Sequence, residues 1–127
     1  MELLNKIQIQ QKFNFLKGLV EFLSLDFQMQ RSKSPLPEDM IADDIAEDWD
    51  WNFIGKMVDF LRDSNIFNDN IVQIFKQIEG NFSNASLNGI LYEEIIWTAE
   101  GLEFHHFWKV QRKLAKLLLY KMEQIQF

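Results

Sequence analysis

Ile9, Phe13, Leu16, Val20, Leu23 and Phe27 recur at alternating steps of four and three residues, the spacing of one face of an α-helix. A second stripe, Leu4, Ile7, Phe15, Leu19, Phe22 and Met29, falls on roughly the opposite face at ~100° per residue. The pattern predicts one long helix over residues 1–31, apolar on two sides. Such a helix needs covering twice, either at the centre of a bundle or by lending one face to a partner or a second copy. Gly18 lies inside it at a cost of about 1 kcal/mol relative to Ala, which predicts a neighbour packed close at that point.

Pro35 and Pro37 mark residues 32–37 as a loop, because each proline disfavours helical geometry in the residue before it. Pro37 suits the first turn of a following helix, with Glu38 and Asp39 favourably placed near its N-terminus. Met40, Ile41, Ile45 and Trp49 carry helical spacing onward, and Phe53, Ile54, Met57, Phe60 and Leu61 extend it to about Arg62. A break is expected at Asp48–Asp50, since Asp and Asn cap helices well and sit poorly inside them. Residues 63–65 read as a turn, and Asn68 or Asp69 as the cap of a helix burying Ile71, Ile74, Phe75 and Ile78.

Residues 80–89 are rich in Asn, Ser and Gly and read as loop. Residues 91–97 are short enough to be helix or strand. Thr98 is placed to cap a last helix from Ala99 to about Gln124. Its apolar face is Phe104, Phe107, Trp108, Leu114, Ala115, Leu118 and Met122, with Lys109, Arg112, Lys113 and Lys116 clustered on the other side. The expectation is an all-α, single-domain bundle of five or six helices over residues 1–127, with the first helix and the proline loop followed by the remaining helices in 38–127.

At 127 residues, 47% of them hydrophobic, the chain can bury a core of its own. The formal charge of -6 is uneven. Glu38, Asp39, Asp43, Asp44, Glu47, Asp48 and Asp50 crowd into a stretch with no base; without them twelve acids face thirteen bases. The acidity is one local feature. It disfavours broad nucleic-acid binding, although the basic strip on the last helix is an alternative contact surface for a small regulator or adaptor.

No chemistry of catalysis is spelled out. Without cysteine there is no thiolate nucleophile or cysteine-bound zinc, and neither a Gly-x-Ser-x-Gly turn nor a phosphate-cradling glycine loop is present. Glu103 and His106 have di-iron spacing, but such sites need a second such pair and further carboxylates. Asp48, Asp50, Asn52 and Asp59 faintly resemble a calcium loop, yet Phe53 stands where glycine must make the sharp turn. The expectation is a non-enzyme with no metal and no cofactor. No apolar run approaches the ~18–20 residues that span a bilayer, and the first residues lack a secretory apolar segment, so a cytoplasmic protein without membrane contact is expected.

The acidic stretch remains. On a helical wheel Asp39, Asp43 and Asp50 fall within about 40° of one another with Glu47 next to them, away from Ile41, Ile45 and Trp49. It is either a solvated face that aids solubility or pairs with the basic last helix, or a patch that captures a basic surface. Asp39, Asp43, Asp44, Glu47, Asp48 and Asp50 are the candidate partner-binding residues. Trp51 joins them as an exposed aromatic anchor, and Trp49 is assigned to the core.

A small, cysteine-free, acidic helical chain without a catalytic motif resembles the immunity proteins of bacterial contact-dependent inhibition and other polymorphic toxin systems. The tract IWTAEGLEFHHFWKVQRKLA, from Ile96 to Ala115, looks like a family signature of that kind. The resemblance implies binding to a cognate toxin domain, often a basic nuclease, by covering its active site or a neighbouring surface. A homodimer through the first helix is a further expectation.

Overall fold

A computed structural model describes residues 2–127, all of whose regular structure is helical. Seven α-helices follow in order: α1 Glu2–Ser24, α2 Phe27–Lys33, α3 Glu38–Asp48, α4 Trp51–Asp63, α5 Asp69–Ala85, α6 Ala99–Phe104 and α7 His106–Glu123. A 3₁₀ turn, Glu94–Trp97, precedes α6. The all-α bundle is as expected. The count of five or six helices is not, because two expected helices are each divided.

The first division separates α1 from α2 at Leu25 and Asp26. Asp26 adopts an extended backbone, and its carboxylate accepts the Met29 N–H at 2.9 Å, capping α2. The carbonyls freed at the end of α1 are satisfied from inside the core. Gln30 donates its side-chain N–H to Phe22 O and Leu23 O, and Arg112 Nε donates to Leu25 O at 3.0 Å. The second division separates α6 from α7 at His105, whose Nδ1 accepts the Phe107 N–H at 2.9 Å. A histidine cap is invisible to a search for Ser, Thr, Asp or Asn.

Elsewhere the caps fall where the sequence places them. Asp50 caps α4, Asn68 caps α5 and Thr98 caps α6. Two boundaries shift. α5 runs on to Ala85 through the Asn- and Ser-rich stretch, because Ile78, Phe82 and Ala85 keep one apolar face buried. Residues 91–97 are neither strand nor α-helix but end in the 3₁₀ turn.

α1 packs on α7 and α4, α5 packs on α7 and α4, and α3 lies over α6, the 3₁₀ turn and α2. The contiguous core runs from Ile9 to Met122, with Trp108, Phe75, Leu16, Leu23 and Ile54 among its fully buried side chains. α1 is covered twice only in its C-terminal half: Ile9, Phe13, Leu16, Val20 and Leu23 are buried, Leu19 and Phe22 of the second stripe pack half-buried on the core, and Leu4, Ile7 and Phe15 stay exposed. Gly18 faces open space, with nothing within 4 Å of where a Cβ would stand. The close neighbour it predicted is absent. Phe104, assigned to the apolar face of the last helix, is also exposed, because the break at His105 turns α6 out of the register of α7.

Candidate functional site

α3 presents its acids on two flanks. Ile41, Ala42 and Ile45 face the core, and Trp49, just beyond the helix, is buried as expected. Asp39, Asp43 and Glu47 lie exposed on one flank; Asp44 and Asp48 lie on the other. The seven acids therefore do not form one patch. Asp50 is exposed too, but its carboxylate is occupied by the N–H of Asn52 at the start of α4.

The acids are largely unpaired. Of these seven acids, only Glu38 has a basic side chain within 4 Å among the described residues, Arg31 at 2.8 Å. Among the described residues no ion pair joins α3 to α7, and α3 packs mainly on other elements, so the basic last helix does not neutralise the acidic one by contact. The basic strip is itself thinner than the sequence suggests. Arg112 is 8% exposed and turned into the core, where it donates to Leu25 O, Gln30 Oε1 and Leu102 O. Lys109, Lys113 and Lys116 are left on the surface.

The crowding has an electrostatic consequence at the end of α3. Partial burial, and then repulsion from Asp44 and Glu47, push the Asp48 carboxyl above its ordinary value of 3.8. Glu47 and Asp48 also occupy the C-terminal turn, where the helix dipole disfavours negative charge by roughly 0.3–1 kcal/mol per group. The acids at the N-terminal end, Glu38 and Asp39, are favourable by the same rule. Two of the seven acids thus work against the helix that carries them.

Asp43, Glu47 and Asp50 edge a groove of about 550 Å³ between α3, the start of α4, the C-terminal half of α5 and the segment leading into the 3₁₀ turn. Glu79 of α5 adds a fourth carboxylate, and Ser83, Ser86 and Leu87 continue the rim. Trp51, Tyr92 and Trp97 give aromatic walls, and the buried Trp49 and Phe82 form the base. This volume lies within the roughly 300–1,000 Å³ usual for ligand-binding clefts. Asp39 lies outside it, in a shallower recess with Glu94, Ile95, Thr98 and Glu100.

The groove is rigidly built. Trp97 Nε1 donates to Ala85 O at 2.9 Å, and Trp108 Nε1 donates to Ile96 O at 2.7 Å, tying the 3₁₀ turn to α5 and α7. Trp97 and Trp108 meet edge to face with ring centroids 5.9 Å apart. Trp51 is half-buried rather than fully exposed, its indole lying against Gly55 one helical turn on. A Cβ at Gly55 would stand 2.8 Å from Trp51 Nε1, so glycine is what lets the ring lie flat there.

Of the seven residues singled out in the sequence, Asp43, Glu47, Asp50 and Trp51 are brought together at the groove; Asp39, Asp44 and Asp48 are not. Glu79 and Tyr92 have no distinguishing signal, and Trp97 has only its place in the tract from Ile96 to Ala115. Each is an ordinary residue in its own segment and acquires its place only when α5 and the 3₁₀ turn pack beside α3. Comparison with known proteins yields no match: no family model, no curated protein and no solved structure is significantly similar to the chain.

Proposed function

We propose that this protein is a non-enzymatic inhibitor that binds a basic protein, in the manner of an immunity protein neutralising a cognate toxin domain, with a nuclease as the partner that best suits its charge. The observation carrying this reading is the uncompensated acidity of α3 beside an aromatic-walled groove. Carboxylates held at the C-terminal end of a helix, against its dipole and against one another, weaken the fold, and a function that uses them accounts for their presence. A nuclease active site is built to bind polyanions, and spaced carboxylates imitate phosphates. Charge of this kind acts at long range, raising association rates toward ~10⁸ M⁻¹s⁻¹ at low salt.

The test is charge reversal of Asp39, Asp43 and Glu47 together, with affinity for a partner co-purified from the native cell measured across a salt series. The expected result is weaker binding with a shallower salt dependence and unchanged helicity. Unchanged affinity removes this face from the interface. A large exported protein with a toxic C-terminal domain, encoded immediately upstream, would identify the partner.

A second reading concerns self-association and rests on a different face. Phe15 of α1 and Phe53 of α4 are 45% and 55% exposed and touch edge to face, with Leu4 and Ile7 exposed along the same stripe. That surface suits a second copy of the chain.

A further inference from the structure

The groove is more selective than the acidic surface around it. Three of its carboxylates come from two elements, Asp43 and Glu47 from α3 and Glu79 from α5, and the indoles of Trp51 and Trp97 line the groove with them. None of the three has a basic side chain within 4 Å among the described residues. A lysine ammonium is a compact, strongly hydrated point charge. A guanidinium is planar and weakly hydrated, stacks on an aromatic face and offers forked N–H donors to carboxylates on its edges. Aromatic walls with an acidic rim match the second description. The Gly55 cradle holds the Trp51 indole against the helix, and the Trp97 Nε1 bond to Ala85 O fixes that ring, so little ordering of these two side chains remains when a ligand enters.

We propose that this groove is a socket for a single arginine side chain presented by the protein partner, stacked on Trp51 or Trp97 and bonded to Glu47 and Glu79. The proposal rests on the reading of the protein as a binder of a basic partner and names the group it recognises. The acids outside the groove, Asp39, Asp44 and Asp48, then contribute long-range attraction without a specific contact.

The test uses the full chain, labelled with ¹⁵N, and acetyl-Gly-Arg-Gly-amide as the probe. Its citrulline isostere keeps the shape without the charge, and its lysine counterpart keeps the charge without the plane. Saturable shifts of the Trp51 and Trp97 indole N–H signals are expected with the arginine peptide, at least fivefold weaker with either comparison peptide. E47Q/E79Q should weaken the arginine response at least fivefold, and neither residue caps a helix, so the fold is retained. G55A, which displaces the Trp51 ring, should weaken it with both carboxylates intact.

Equal responses to arginine and citrulline, equal responses to arginine and lysine, or shifts confined to α3 amides outside the groove would each overturn the socket. Partner binding that survives loss of the socket would leave the inhibitor reading standing. Arginine binding by the parent protein, with a charge-reversed α3 that still holds its partner, would overturn the socket's part in partner binding and leave the inhibitor reading to another face.

Discussion

The guanidinium of Arg112 donates to the side-chain oxygen of Gln30 at 2.7 Å across 82 residues of sequence, and both side chains are buried. The same Gln30 closes the end of α1 through its amide N–H, and the same Arg112 reaches Leu25 O and Leu102 O. One polar pair therefore holds both helix divisions, the α1–α2 break and the end of α6, against α7. Burial lowers the pKa of Arg112, with Asp26 acting in the opposite direction.

Replacement of Arg112 by alanine should cost about 3 kcal/mol or more, since it strands three acceptors at roughly 1–3 kcal/mol each before water relieves part of the loss. Arg112→Lys should recover little, because one ammonium lacks the fork that reaches three oxygens from three directions. Denaturant unfolding checks both. A lysine variant as stable as the parent would show that charge alone, rather than the planar fork, secures the two breaks.

How much of this could be read in the sequence depended on range. The buried stripes of α1, α3, α5 and α7 follow from helical spacing, and the caps Asp50, Asn68 and Thr98 from local chemistry. The breaks at Asp26 and His105 were missed because apolar periodicity runs through both. Asp26 does carry a cap's chemistry, but what makes it a stop is Arg112 and Gln30 meeting in the core. Arg112 looked like part of a solvated basic strip for the same reason: its neighbours Lys109, Lys113 and Lys116 are on the surface, and only tertiary packing separates it from them. The candidate site was half legible. α3 announced its acids, while the aromatic walls come from residues 41 to 46 positions further on than Trp51.

Two of the helical glycines, Gly18 and Gly101, should respond oppositely to alanine. At Gly101 a Cβ would collide with the Ile95 carbonyl oxygen, a backbone atom of the 3₁₀ turn that cannot swing away. Gly101→Ala should cost about 3 kcal/mol, at the upper end of overpacking effects, and weaken near-ultraviolet dichroism as Trp97 loses its setting. Gly18→Ala meets nothing and should stabilise α1 by roughly 0.5–1 kcal/mol. A destabilised Gly18→Ala would reveal a partner at that surface.

Asp48 links stability to pH with a definite sign. Its carboxyl is raised above 3.8 in the folded protein, so the native state holds that proton more tightly than the unfolded chain does. Its ionisation therefore removes stability as pH rises through the interval above 3.8, and the deficit persists at neutral pH. Asp48→Asn should be more stable than the parent at pH 7 by about 0.5 kcal/mol, the scale of a charge at the wrong end of a helix. The advantage should vanish near pH 3, where both states are protonated. If the variant instead loses stability at pH 7, the carboxylate has a favourable contact that outweighs repulsion from Asp44 and Glu47.

The open side of α1 makes the last expectation. Leu4, Ile7 and Phe15 follow one helical stripe, and Phe53 of α4 extends it sideways through its edge contact with Phe15 at 5.8 Å. A helix carrying apolar side chains on its solvent side gains by meeting another such surface, and two copies of one stripe related by a twofold axis are self-complementary. Light scattering on concentrated protein should then give a mass approaching twice 15.2 kDa, falling to the single-chain value on dilution. Phe15→Lys should abolish the association without loss of helicity, because the ring is half exposed and its removal opens no cavity in the core. A parent protein that stays monomeric at about 1 mM, a concentration at which even a weak contact of ~4 kcal/mol would register, excludes the dimer. The same variant separates this face from the acidic one: partner binding through α3 should be indifferent to Phe15→Lys, since the residues that line the groove include none from α1.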